Sequence, residues 1–232
     1  MTKRHDFALT AELISLVERV VPEPELLPGL TPMTDDDYGR AAEDVLSGHG
    51  GGPFWVFAYG SLLWNPGFDF IASIPARAPG WHRAFCLEIL RWRGSPEQPG
   101  LMLALDHGGA CKGVAFELPP DRHAEQVGRL LRREVPFRRE TKPFRWIRAW
   151  ADGKPLRALT FYAGMHDDAI YTDLPIEIQA RMLARAAGHG GTGAAYLHNT
   201  IAKLDEHGIH DSYLWRLQKL VAAEIRSMHQ HL

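Results

Sequence analysis

Residues 55–66 read Trp-Val-Phe-Ala-Tyr-Gly-Ser-Leu-Leu-Trp-Asn-Pro. The stretch opens as an apolar strand, then places Gly60 and Ser61 where a strand interior favours branched or aromatic side chains, and stops at Asn65-Pro66. A strand that only packs has no use for that interruption. The pattern predicts a strand that ends in a loop, with Gly60 permitting close approach to the backbone and the N–H groups of the turn left as donors.

Downstream of this loop the signals are mainly strands. Runs at 54–59, 82–89, 101–105, 111–118, 144–150 and 156–163 are rich in Val, Phe, Trp and Leu, and turn sequences such as Asp-His-Gly-Gly-Ala and Ala-Asp-Gly-Lys-Pro separate them. One helix interrupts the strands, with Asp121 as its expected cap and Pro136 as its stop. Beyond residue 170 three helical patterns follow, with Gly188 and Gly208 placed as stops. Upstream, Leu9, Leu13, Leu16, Val17 and Val20 recur at helical spacing over 8–21, and Thr34, followed by three aspartates, predicts the start of a second helix. The Gly-rich run 47–53 reads as a flexible junction. The expected organisation is an N-terminal helical extension with its junction, residues 1–52, followed by a domain over 53–232. Its fold class is α+β, a small, mostly antiparallel β-barrel or sheet with flanking helices.

The helix before Pro136 carries one carboxylate on its apolar side. At about 100° per residue, with Val127 as zero, Leu130 falls near 300°, Leu131 near 40° and Glu134 near 340°, in the middle of the stripe. Arg129, Arg132 and Arg133 point elsewhere, and with Arg138, Arg139, Arg145 and Arg148 they are expected to form a solvated face. A carboxylate held among apolar side chains has either a partner or a raised pKa, and a raised pKa suits a general acid-base group working near neutrality. The plain alternative is that Glu134, at the helix end, turns to solvent or pairs with a nearby arginine.

Composition narrows the function. The 232 residues are 45% hydrophobic and 23% charged, with a formal net charge of −2, which does not favour a nucleic-acid partner. No apolar run is long enough to span a membrane. Cys86 and Cys111, the two cysteines, are expected as buried thiols of a reducing, cytoplasmic compartment. The twelve histidines form no HExxH motif and no Cys/His ligand set, so no metal is expected. Ser61 lies in Tyr-Gly-Ser-Leu-Leu and not in GxSxG, which favours a hydrogen-bonding role over a nucleophilic one.

Several ordered segments together resemble the ChaC-type γ-glutamylcyclotransferases. They are Val-Phe-Ala-Tyr-Gly-Ser-Leu-Leu-Trp-Asn-Pro-Gly-Phe at 56–68, Gly-Trp-His-Arg-Ala-Phe at 80–85, Gln-Pro-Gly-Leu-Met-Leu-Ala-Leu at 98–105, Lys-Gly-Val-Ala-Phe-Glu-Leu at 112–118, Leu-Leu-Arg-Arg-Glu at 130–134 and Gly-Thr-Gly-Ala-Ala-Tyr-Leu at 191–197. The resemblance implies a small β-barrel with flanking helices that cleaves glutathione into 5-oxoproline and cysteinylglycine without a metal or organic cofactor. It further implies that Tyr59, Gly60, Ser61 and Leu62 form the substrate-binding loop, that Glu134 is the catalytic glutamate and that Tyr196 contacts substrate. Arg83 and Gly100 match neighbouring motif positions. The chain departs from the family pattern at Ala58, where relatives carry Gly, and at Leu101, where they carry Arg. That second departure keeps other γ-glutamyl amino acids or amines open as substrates, and a non-catalytic binding module of the same fold remains a third reading.

Overall fold

The computed structural model describes residues 6–26, 28–138, 142, 144–162 and 169–230. In chain order the elements are α1 (Ala11–Ser15), α2 (Asp35–Ser47), β1 (Trp55–Ala58), β2 (Ala72–Ile89), β3 (Gly100–Glu117), α3 (His123–Glu134), β4 (Phe144–Ala151), β5 (Lys154–Phe161), β6 (Ala169–Tyr171), α4 (Ile176–Arg185), β7 (Ala187–Gly188), β8 (Gly191–Thr192), α5 (Gly193–Glu206) and α6 (Ser212–Met228). Contacts divide the chain into two compact units, one of residues 27–83 and 105–167, the other of residues 1–26, 84–104 and 168–232. The long strands β2 and β3 contribute residues to both.

The first unit is a barrel closed in the order β3-β1-β5-β4-β2, with β2 pairing back to β3. Strand β1 lies between β3 and β5, antiparallel to β3 with Trp55 opposite Glu117 and Ala58 opposite Val114, and parallel to β5 with Val56 opposite Leu159. The interior is filled by Phe57, Trp81, Leu105, Cys111 and Ile147 among the small side chains of Ala76, Ala78, Ala115, Ala149, Ala151 and Ala158. Alanine is suited to a barrel this narrow, because larger groups from facing strands would collide on the axis. Helix α2 packs on α3 in this unit, and its start is as expected. The Thr34 side chain accepts from the Asp37 N–H while Asp37 accepts from the Thr34 N–H, a reciprocal cap. Thr34→Ala removes one half of it, and the thermal midpoint should fall by about 2–4 °C in a calorimetric scan.

The start of the Gly-rich stretch 47–53 makes contacts with the barrel unit. Arg157 donates to the carbonyls of Gly48 and His49, the His49 ring stacks on Phe54 with centroids 4.6 Å apart, and Gly48 lies against the Trp146 indole. Two strands also run longer than expected. Pro75 and Pro79 lie at exposed positions of β2, where a missing N–H costs no core pairing, so the strand starts at Ala72. The turn expected at Asp-His-Gly-Gly-Ala is a bend inside β3, which Gly108 and Gly109 permit with φ of 104° and 69°.

The second unit gathers α1, α4, α5 and α6 with the short strands β6, β7 and β8. Helix α6 buries Leu214, Trp215, Leu217, Val221, Ala222 and Ile225, and the buried Gln218 side chain accepts the Leu9 N–H at 2.7 Å. Strand β6, which the sequence did not announce, pairs Ala169, Ile170 and Tyr171 with Ile89, Glu88 and Leu87. The expected helix at 8–21 shrinks to five residues. Leu9, Ile14 and Val17 are buried, but Leu16 is 49% exposed and Val20 fully exposed. Pro22 and Pro24 hold their preceding residues extended, and Arg91 draws the carbonyls of Pro24 and Glu25 into hydrogen bonds, so the chain leaves helical geometry early.

Candidate active site

Strand β1 delivers the chain to Gly60, which has φ −134° and ψ −129°, and residues 61–63 then form one 3₁₀ turn. Leu63 N–H donates to the Gly60 carbonyl at 3.0 Å, and Asn65 N–H to the Ser61 carbonyl at 2.9 Å. The leading N–H groups of such a turn have no acceptor within it. Leu62 and Leu63 are buried and fix the turn from below, while Tyr59 packs against the barrel core.

Helix α3 holds this loop at both ends. Near its start, the fully buried Gln126 side chain accepts the Asp69 N–H at 2.8 Å, and the Asp69 carboxylate accepts from Arg122 and Arg129. At its C-terminal end, Arg133 donates through Nη2 to Ser61 Oγ at 3.1 Å and through Nε to Glu134 Oε1 at 2.9 Å. The arginine reaches both because Gly67, at φ 72°, leaves room; a Cβ there would sit 3.1 Å from Arg133 Cδ. Hydroxyl, guanidinium and carboxylate thus form one connected row.

Glu134 stands where the helical angle placed it. Val127, Leu130 and Leu131 of the same stripe are fully buried, and the Glu134 side chain keeps 21% of its surface. Loss of solvent pushes its carboxyl above the ordinary value of 4.5, opposed by the charge and hydrogen bond of Arg133. The helix start differs from expectation: Arg122 and not Asp121 is the cap residue, and no side chain bonds the first turn there. Gln126 and Arg133 are the residues that the angular reading missed. It assigned Arg133 to a solvated face, yet the side chain is 22% exposed and folds back along the helix end. Of its neighbours, Arg132 pairs with Asp35 and covers the Tyr38 ring, Arg138 pairs with Asp37, and Arg145 lies over Trp81 and Tyr162. Arg139 lies outside the described residues.

Arg83 is buried in the barrel unit and donates to the Lys112 carbonyl and to Cys111 Sγ, so its bonds run to the neighbouring strand β3. Gly100 and Tyr196 belong to the other unit. Gly100 admits the backbone of 93–94, since a Cβ would overlap the Arg93 carbonyl. Tyr196 is 5% exposed, meets Phe85 edge to face, and carries the Arg93 guanidinium over its ring at 5.0 Å. Leu101, at the position of the family arginine, is fully buried and serves as packing.

The ChaC-like protein family matches residues 54–224. Among curated proteins, the glutathione-specific γ-glutamylcyclotransferase of Escherichia coli (strain K12) is 35% identical over 168 residues, 70% of each chain. The glutathione-specific γ-glutamylcyclotransferase 1 of Homo sapiens is 31% identical over 150 residues, 62% of this chain and 66% of that one. A crystal structure of selenomethionine-labelled γ-glutamyl cyclotransferase specific to glutathione from yeast superposes with a TM-score of 0.67 at 19% identity, covering 75% of this chain and 97% of that one, a likeness of fold. The matched range takes in β1, the loop after it and the whole of α3 to Glu134, and on that extent the chain belongs to the ChaC-like protein family.

Proposed function

We propose that the protein cleaves glutathione by cyclising its γ-glutamyl group, releasing 5-oxoproline and cysteinylglycine. The observation that carries this reading is a carboxylate with a raised pKa joined through one guanidinium to a loop of backbone donors. In the reaction the substrate α-amino nitrogen attacks its own γ-carbonyl carbon; the new C–N bond closes a five-membered lactam, and the old amide C–N bond breaks. Glu134 takes the proton released by the attacking nitrogen and delivers one to the departing amine, so no water or external reductant is consumed. Because the step is intramolecular, folding the γ-glutamyl arm into an attack geometry accounts for much of the acceleration, and good cases correspond to about 7–11 kcal/mol.

The other parts of the reading follow from position. The N–H groups at Gly60, Ser61 and Leu62 hold the substrate head and the developing oxyanion, and Tyr59 borders the same loop; a substrate contact for Tyr196 rests on the family resemblance and not on position. Arg83 ties β2 to β3 through the Lys112 carbonyl, and Gly100 lets the backbone of 93–94 approach. The catalytic domain is residues 53–232, with 1–52 as an extension before it, which agrees with a family match that begins at residue 54. No helix among the described residues is long and apolar enough to cross a membrane. Cys86 and Cys111 are buried thiols joined in no disulfide, as in proteins of a reducing compartment, and we place the enzyme in the cytoplasm.

Incubation of the purified protein with glutathione should yield 5-oxoproline and cysteinylglycine in equal amounts, resolved by liquid chromatography. A parallel incubation with γ-glutamylalanine addresses the substrate range, since Leu101 supplies no guanidinium. Product from γ-glutamylalanine alone would replace glutathione as substrate, and no product from either would favour a binding module.

A further inference from the structure

We propose that Arg133 is a positioning residue whose single guanidinium makes the Ser61 hydroxyl a donor to substrate and Glu134 an ionised acceptor for the substrate amine. This rests on the cyclotransferase reading above. A guanidinium only donates. Ser61 Oγ must therefore accept from Arg133 at 3.1 Å, which leaves its own proton for another partner, and no acceptor for that proton occurs among the described residues. Glu134 likewise accepts from Arg133 through Oε1 alone, at 2.9 Å, and Oε2 takes no hydrogen bond from any described residue. The arrangement leaves one open donor and one open acceptor, both set by the same planar fork.

The fork is itself fixed. Gly67 borders its Cδ, and the side chain is 22% exposed. The other charged groups of α3, and those of α2 packed on it, are committed elsewhere. Arg132 holds Asp35, Arg129 holds Glu125 and Asp69, Arg122 also binds Asp69, and Asp37 of α2 binds Arg138 and Arg40. Arg133 is thus the group that opposes the effect of burial on the Glu134 carboxyl. A lysine in its place keeps the charge but presents a point donor that cannot serve two acceptors in fixed directions.

The test combines three variants. In ¹³C-labelled protein, the Glu134 carboxyl of Arg133→Met should titrate about 1 unit or more above wild type, and the acid limb of kcat/KM for 5-oxoproline release should move up with it. Arg133→Lys should keep that limb near wild type yet lose about tenfold in kcat. Ser61→Ala should cost activity in the wild-type background and little further in Arg133→Lys, since the hydroxyl is already misdirected there. An unmoved Glu134 titration in Arg133→Met, or an equal cost of Ser61→Ala in both backgrounds, overturns the proposal. Should Arg133→Met fail to fold, Arg133→Gln, which keeps a planar donor without charge, takes its place. The carboxyl titration needs no substrate, so it separates the two readings: a wild-type protein inactive on γ-glutamyl compounds with a raised Glu134 in Arg133→Met sinks the activity and leaves the tether. An active wild type with no change in titration does the reverse.

Discussion

Glu134→Gln should fold as the parent chain does and release 5-oxoproline from glutathione about 10²- to 10⁴-fold more slowly, with KM little changed. The magnitude is that of one positioned acid-base group. Glutamine is the informative replacement because its carbonyl oxygen can still accept from Arg133 Nε while nothing remains to carry a proton. Thermal stability gives the control. Glu134 has a folded pKa above 4.5, so its ionisation disfavours the folded chain relative to the unfolded one. That cost is absent below the unfolded value, grows between the two and is complete above the folded value; an amide does not incur it. The melting temperature of Glu134→Gln near pH 8 should therefore equal or exceed that of the wild type. In the wild type, turnover should fall as pH drops through the raised Glu134 value, and that limb should be missing from the residual activity of the variant. Turnover of Glu134→Gln within a few-fold of wild type would remove Glu134 from the chemistry.

The second large effect lies one strand away. Gly113→Val introduces a Cβ that overlaps the carbonyl oxygen of Ala58 and comes within 2.8 Å of the Phe57 ring. Neither neighbour can yield. Phe57 is fully buried in the barrel core, and β1 is paired on both sides, by β3 and β5. Overpacking of this kind costs about 1–3 kcal/mol, and the two branch methyls place this substitution at the upper end, with a thermal midpoint lower by about 6–12 °C. Activity should suffer as well at temperatures where the variant is folded, because Ala58 leads directly into Tyr59 and Gly60. A folded Gly113→Val with wild-type kcat/KM would show that β1 can shift without disturbing the loop.

How far the sequence discloses this protein depends on the range of the interaction concerned. The reading of Glu134 needed only the 100° step of one helix, and Val127, Leu130 and Leu131 are buried as that step requires. The Thr34 cap is equally local, set by residues three apart. Arg133 escaped the same arithmetic because its direction depends on Ser61, 72 positions earlier, and on the missing side chain of Gly67. Gln126, a polar residue on the apolar face, was passed over for the same reason, since its partner is the backbone of Asp69. The N-terminal helix failed differently. A stripe of five apolar residues predicted fourteen helical positions, but prolines beyond it and a distant arginine hold the chain extended, and tertiary bonds override helical propensity. Glycines misled within β3, where the expected turn is a bend inside one strand.

Because the segment from Ser61 to Asp69 is fastened to α3 through Gln126, Arg122, Arg129 and Arg133, it should have no separate melting of its own. Loops of this length ordinarily exchange their amide hydrogens by small local openings, whereas this one is expected to open with the helix. The N–H groups of Leu63 and Asn65, bonded within the turn, should then exchange at the rate of the α3 interior, with or without substrate. Substrate would meet a surface that is already ordered, and the entropy of arranging those donors would have been settled once, when the chain folded.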